Sequence, residues 1–143
     1  MSAVREFMTT DARCIKEGQT LEDAARMMLD LDCGSLPICG DDGKLQGMIT
    51  DRDIVLKCVA AGRSPREMMA RELASGKPYW VDADASVDAA IEMMETHQVR
   101  RLPVIADHKL VGIISQGDIA RNYTEDRVGA LVEHISERHH MSA

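Results

Sequence analysis

Two stretches carry residue types that could act on a ligand, and they share one spacing. Gly47-Met48-Ile49-Thr50-Asp51-Arg52-Asp53-Ile54 runs glycine, two apolar residues, a hydroxyl, two intervening positions and an acid; Gly112-Ile113-Ile114-Ser115-Gln116-Gly117-Asp118-Ile119 repeats that order. A strand ending at Thr50 or Ser115, with a helix starting directly after it, turns backbone N–H groups outward in a way that suits a phosphate. Asp53 and Asp118, about one helical turn further on, could accept from both hydroxyls of a ribose. The same spacing is equally a helix-capping pair, in which hydroxyl and carboxylate satisfy first-turn N–H groups. Thr20 and Asp23 have it too, with no ligand implied. Arg52 beside the first stretch and Arg121 beside the second supply planar forks that grip phosphate in two places, unless they simply pair with surface acids.

Other motifs fail on their chemistry. Gly40-Asp41-Asp42-Gly43-Lys44-Leu45 has the wrong glycine spacing for a phosphate loop and no hydroxyl after the lysine. Asp82-Ala83-Asp84-Ala85-Ser86-Val87 starts like a calcium loop, but lacks the sixth-place glycine and has Met93 where a bidentate acid belongs. Cys14, Cys33, Cys39 and Cys58 include no CxxC, so a thiolate metal cluster is not expected, and no metal site is assigned. The terminal His139-His140 pair reads as solvated surface. No hydrolase or dinucleotide signature occurs, and His97, His108, His134, His139 and His140 show no spacing of a catalytic base. The chain reads as a non-enzyme.

The elements that must position these residues come as a repeat. Met27-Met28 recurs as Met93-Met94, and Leu36-Pro37-Ile38 as Leu102-Pro103-Val104, 66 positions later; Leu45, Gly47, Ile49, Asp53 and Ile54 return as Leu110, Gly112, Ile114, Asp118 and Ile119, 65 positions later. Each copy predicts helix, strand, strand, helix. Leu21, Ala24, Ala25 and Met28 form one helical stripe, as do Val87, Ala90, Ile91 and Met94, with Thr20 and Ser86 at the N-caps. Strands are expected at Leu36–Cys39, Leu45–Thr50, Leu102–Ile105 and Leu110–Ser115, with a short one before each first helix, around Cys14-Ile15 and Trp80-Val81. Boundaries follow: 1–62 for the first repeat with its N-terminal segment, 63–78 for a structured connector with a helix start at Ser64-Pro65, 79–123 for the second repeat, and 124–143 for a C-terminal helix. One copy is too small to bury its sheet and helices, so two should pack around a pseudo-twofold axis as an α/β (α+β) pair. The outer helices either leave an apolar stripe with Met27, Met28, Met93 and Met94 exposed as a dimer surface, or use those residues to complete the core.

The balance of charge narrows the partners. With 143 residues, 45% hydrophobic and a net charge of −7, the chain can build an interior but repels nucleic acid and anionic membranes. No apolar run reaches a membrane span, and Met1–Glu6 lacks a secretory profile, so a cytoplasmic protein is expected.

Taken together and in order, the two stretches above, the lead-in Val4-Arg5-Glu6-Phe7-Met8-Thr9, the two Leu-Pro runs and His97-Gln98-Val99-Arg100-Arg101 resemble the cystathionine β-synthase (CBS) domain family. The resemblance spans nearly the whole chain and is close to small stand-alone bacterial CBS-pair proteins. It implies a regulatory module with clefts between the repeats that take an adenosine-containing ligand such as AMP, ADP or ATP, no resident cofactor, a homodimer, and a separate protein as the regulated partner. By the same resemblance Arg100 and Arg101 stand where family members place phosphate-contacting residues, whereas Gly34-Ser35 stand there in the first repeat, so unequal sites are expected. Cys14 and Cys39 fall on strands that neighbour each other in such a fold; they are either two free thiols or a cross-strand disulfide. The rival to the nucleotide reading is a ligand-independent dimer or thiol-responsive protein.

Overall fold

The computed structural model describes residues 2–10, 13–74, 78–121 and 131–136. Two compact units result, one of residues 13–78 and one joining 1–12 to 79–143.

In the first unit, β1 (Ile15–Lys16), α1 (Leu21–Leu31), β2 (Ser35–Cys39), β3 (Leu45–Thr50) and α2 (Asp51–Ile54) follow in order, and α2 runs on as a π-helical turn over Val55–Val59. The second unit holds β4 (Val81–Asp82), α3 (Val87–His97), β5 (Arg101–Ala106), β6 (Lys109–Ser115), α4 (Gln116–Ala120) and α5 (131–136). Each sheet is mixed, with its first strand parallel and its third antiparallel to the middle one. Middle strands are covered on both faces: Leu36, Pro37, Ile38 and Cys39 are all buried, as are Leu102 to Ile105.

Local chemistry explains these elements. Thr20 Oγ1 accepts from the Asp23 N–H at 3.1 Å and Ser86 Oγ from Ala89 at 3.1 Å, capping α1 and α3. The second hairpin turns tightly through Asp107 (φ 49°) and His108 (φ 67°), and the first takes a longer path through Gly43 (φ 80°). That extra residue is the reason the repeat offset falls by one. Met28 and Met94 lie in the cores and Met27 and Met93 are partly buried, so the exposed methionine stripe is not formed. Met28 and Met94 continue the inward stripes begun by Leu21 and Val87. Exposed large apolar side chains sit elsewhere, at Leu29, Leu31, Val55, Leu56 and Val59 in the first unit and at Tyr79, Trp80 and Val132 in the second.

An N-terminal strap belongs to the second repeat in space, although it leads into the first in sequence. Val4 is fully buried there, its N–H donates to Ala85 O at 2.8 Å, and the Arg5 N–H donates to Ala83 O at 3.0 Å. In the first unit the connector does the same: Ala70 N–H to Gln19 O at 2.8 Å and Arg71 N–H to Glu17 O at 3.0 Å. Ser64-Pro65 opens a turn, and the helical part of the connector is a 3₁₀ turn at Ala70–Leu73. The C-terminal helix is seen at 131–136. His139-His140, and the rest of the expected terminal helix, lie outside the described residues.

Candidate functional site

The second repeat brings Arg100, Arg101 and Ser115 to one rim. Antiparallel pairing sets Arg101 opposite Ser115, and the Gln116 N–H donates to Arg100 O at 2.8 Å, tying the start of α4 to the strand end. These residues, with Gln116 and Gly117, line an open depression of about 460 Å³, closed on another side by Val132 and Ser136. Its size falls among ligand pockets, roughly 300–1,000 Å³.

Asp118 sits behind this rim, 4% exposed. Its Oδ2 accepts from the Ser115 N–H at 2.9 Å, Ser115 Oγ accepts from the Asp118 N–H at 3.1 Å, and Arg121 donates to Asp118 Oδ1. The capping alternative is therefore realised, and the first-turn N–H groups of Gln116 and Asp118 are occupied within the chain. Positive charge at the depression comes from the arginines more than from the five-residue helix α4.

The first repeat keeps the scaffold and changes the chemistry. Thr50 and Asp53 form the same reciprocal cap, with both bonds at 3.0 Å, and Lys57 Nζ lies 3.4 Å from Asp53 Oδ1. Gly34, Ser35, Asp51 and Arg52 take the places of Arg100, Arg101, Gln116 and Gly117. One acid and one base replace two bases. A carboxylate oxygen of Asp51 lies 3.1 Å from where a Cβ on Gly34 would be, so the acid fills the space beside the strand end. Arg52 is exposed.

Sequence reasoning missed Lys57, Gln116, Val132 and Ser136. Helical spacing offers a signal for Lys57, four residues after Asp53, and for Val132 and Ser136, which are four apart. What that last face meets is a tertiary fact.

Cys14 and Cys39 also come together. Lys16 is the register partner of Cys39, and the Cys14 thiol neighbours that of Cys39. Both are free thiols, as are Cys33 and Cys58. Burial, then the neighbouring Cys14, pushes the Cys39 thiol up to about 12. Among the described residues no three His, Cys, Asp or Glu side chains are grouped to hold a metal ion, and no helix is long and apolar enough to cross a membrane.

Comparison with known proteins agrees with this architecture. The CBS domain model matches residues 4–59 and 69–125. Hypoxic response protein 1 of Mycobacterium tuberculosis is 48% identical over 135 residues, covering 94% of each chain. The CBS domain-containing protein YhcV of Bacillus subtilis is 37% identical over 143 residues, covering 96% of this chain and 98% of its own. A crystal structure of Hypoxic Response Protein I with two coordinated zinc ions superposes with a TM-score of 0.81 at 50% identity, over 86% of this chain and all of that one. CBSX2 in complex with AMP superposes with a TM-score of 0.72 at 25% identity, over 85% of this chain and 95% of that one. The chain belongs to the CBS domain family and carries that domain twice in tandem.

Proposed function

We propose that this CBS pair is a regulatory module whose second repeat binds the phosphate end of an adenosine-containing nucleotide, and that it acts on a separate protein rather than on a substrate. The observation that carries this reading is the pairing of Arg100 and Arg101 with Ser115 around one open depression. Two guanidinium forks on one rim suit a phosphate ester on an otherwise acidic molecule. The relative CBSX2 in complex with AMP supports the class of ligand. Thr50, Arg52 and Asp53 form the weaker counterpart, because Asp51 opposes an anion there. Asp118 and Arg121 hold the turn on which Ser115 sits. The reading places the protein in the cytoplasm, where adenine nucleotides and reduced thiols coexist. It also makes it a homodimer, for which the exposed Leu29, Leu31, Val55, Leu56 and Val59 are available. Zinc is coordinated in Hypoxic Response Protein I; among the described residues here no three His, Cys, Asp or Glu side chains are grouped to hold it.

The test is calorimetry against AMP, ADP, ATP, NADH and S-adenosylmethionine, repeated with Arg100→Ala/Arg101→Ala. Each charge-assisted bond is worth about 1.5–3 kcal/mol, so the double variant should bind at least about tenfold more weakly. If none of the five ligands binds the intact protein, the nucleotide reading is wrong.

A second reading rests on the Cys14–Cys39 contact. An oxidant could join these neighbouring thiols in a cross-strand disulfide, and the protein would then respond to oxidants and not to nucleotides. Mass spectrometry after thiol blocking without reduction separates the two states; full labelling of all four cysteines in the unfolded, unreduced protein would reject the disulfide.

A further inference from the structure

Val132 and Ser136 lie four residues apart on α5 and line the same depression as Arg100 and Arg101. The adjoining face of the same helix is anchored. Leu131 and Ile135 are 0% and 1% exposed within the core of the second repeat. The Gln98 side-chain amide donates to His134 O at 3.1 Å, and His134 Nδ1 lies 3.6 Å from a Glu95 carboxylate oxygen on α3. A helix in a protein takes most of its stability from the face that it packs against its neighbours. One face of α5 is therefore held by the core while the other completes a basic pocket.

We infer that α5 is a working wall of the anion site: Ser136 contacts the bound phosphate, and ligand occupancy and docking of α5 are thermodynamically linked. This rests on the proposed phosphate-bearing ligand for its biological meaning, but the shared lining of the depression by Ser136 and the arginines does not. The consequence is reciprocal. A phosphate bridging Arg100, Arg101 and Ser136 holds α5 in place, and anything that pulls α5 away weakens the ligand by the same factor. The C-terminal helix thus becomes the element through which occupancy is reported, and Ser136 a binding residue that the Gly-x-x-Ser-x-x-Asp stretch does not contain.

The experiment has a ligand-free arm and a ligand arm. Without ligand, Ser136→Asp is combined with Arg100→Ala/Arg101→Ala in a double-mutant cycle read by thermal melting. Aspartate has a lower helix propensity than serine. If the proposal holds, an aspartate at 136 should instead raise Tm through the two arginines, by about 2–4 °C for each kcal/mol gained, and the gain should vanish without the arginines or in about 1 M salt. With ATP, Ser136→Ala should weaken binding about 2- to 10-fold and Ser136→Asp at least about tenfold; ATP should also slow amide exchange at 131–136 in the intact protein. If ATP binds wild type and Ser136→Asp equally well, the inference is overturned and the nucleotide reading survives. If ATP binds neither, the nucleotide reading loses its support for this ligand, and the ligand-free cycle decides: coupling between position 136 and the arginines upholds the wall, and none overturns it.

Discussion

Asp118 shows why the obvious site residue is a poor probe of the site. Both of its oxygens are engaged, one by the Ser115 N–H and one by Arg121, and the side chain is nearly enclosed. An alanine there removes a helix cap and leaves Arg121 without its carboxylate, so lost affinity would be mixed with lost fold. Arg100 and Arg101 are exposed on the rim and test ligand contact more cleanly. Cys39 allows a separate prediction at this scale. Burial and the adjacent Cys14 move its thiol from 9.0 up to about 12. A folded value above the unfolded one means the contribution to stability is complete below about pH 9 and is lost as pH rises toward 12. Folded protein should therefore resist alkylation at Cys39 through pH 9, while urea-unfolded protein labels. The alkaline fall in the urea midpoint should also be shallower in Cys39→Ala. Rapid labelling of folded Cys39 at neutral pH would contradict the burial on which this rests.

At the level of elements, the two straps and the glycines beneath them set a second prediction. A Cβ on Gly112 would lie 2.7 Å from both Met8 Sδ and Thr9 O, and Thr9 and Ile113 exchange N–H···O bonds at 2.8 and 3.0 Å. A Cβ on Gly47 would meet the Ala74 Cβ at 3.0 Å. Gly112→Ala should cost about 1–3 kcal/mol, and Gly47→Ala less, in equilibrium urea unfolding; equal stability of Gly112→Ala and wild type would show that the strap is not seated there. Much of this level could be read from residue spacing. The stripes of α1 and α3, their Thr20 and Ser86 caps, and the strands after Leu36 and Leu102 follow from local periodicity. The strap exchange was harder to see. Arg5-Glu6 and Arg71-Glu72 are 66 positions apart and make equivalent bonds, but two residues are a weak local signal and their packing partners are distant in the chain. Ser136 is hidden for the same reason: its helix face is readable, but the two arginines with which it shares a depression belong to a distant strand end. The ambiguity at Thr50 and Ser115 was real, since one hydroxyl can cap a helix and still line a site.

For the whole molecule, the repeats share a scaffold but not a charge pattern. The second repeat concentrates two arginines at a depression on a chain of net charge −7, while the first sets Asp51 and Arg52 at equivalent positions. A local basic rim on an acidic surface favours a small anion over a long polyanion, because only short-range contacts escape the repulsion of the rest. Whether the two repeats bind unequally is decided by a titration of the intact protein with ATP at low salt, run beside Arg100→Ala/Arg101→Ala and Asp51→Asn. One strong site per chain is expected, abolished or weakened at least about tenfold in the arginine variant and retained in Asp51→Asn. Two equal and independent sites per chain, or undiminished binding by the arginine variant, would contradict it.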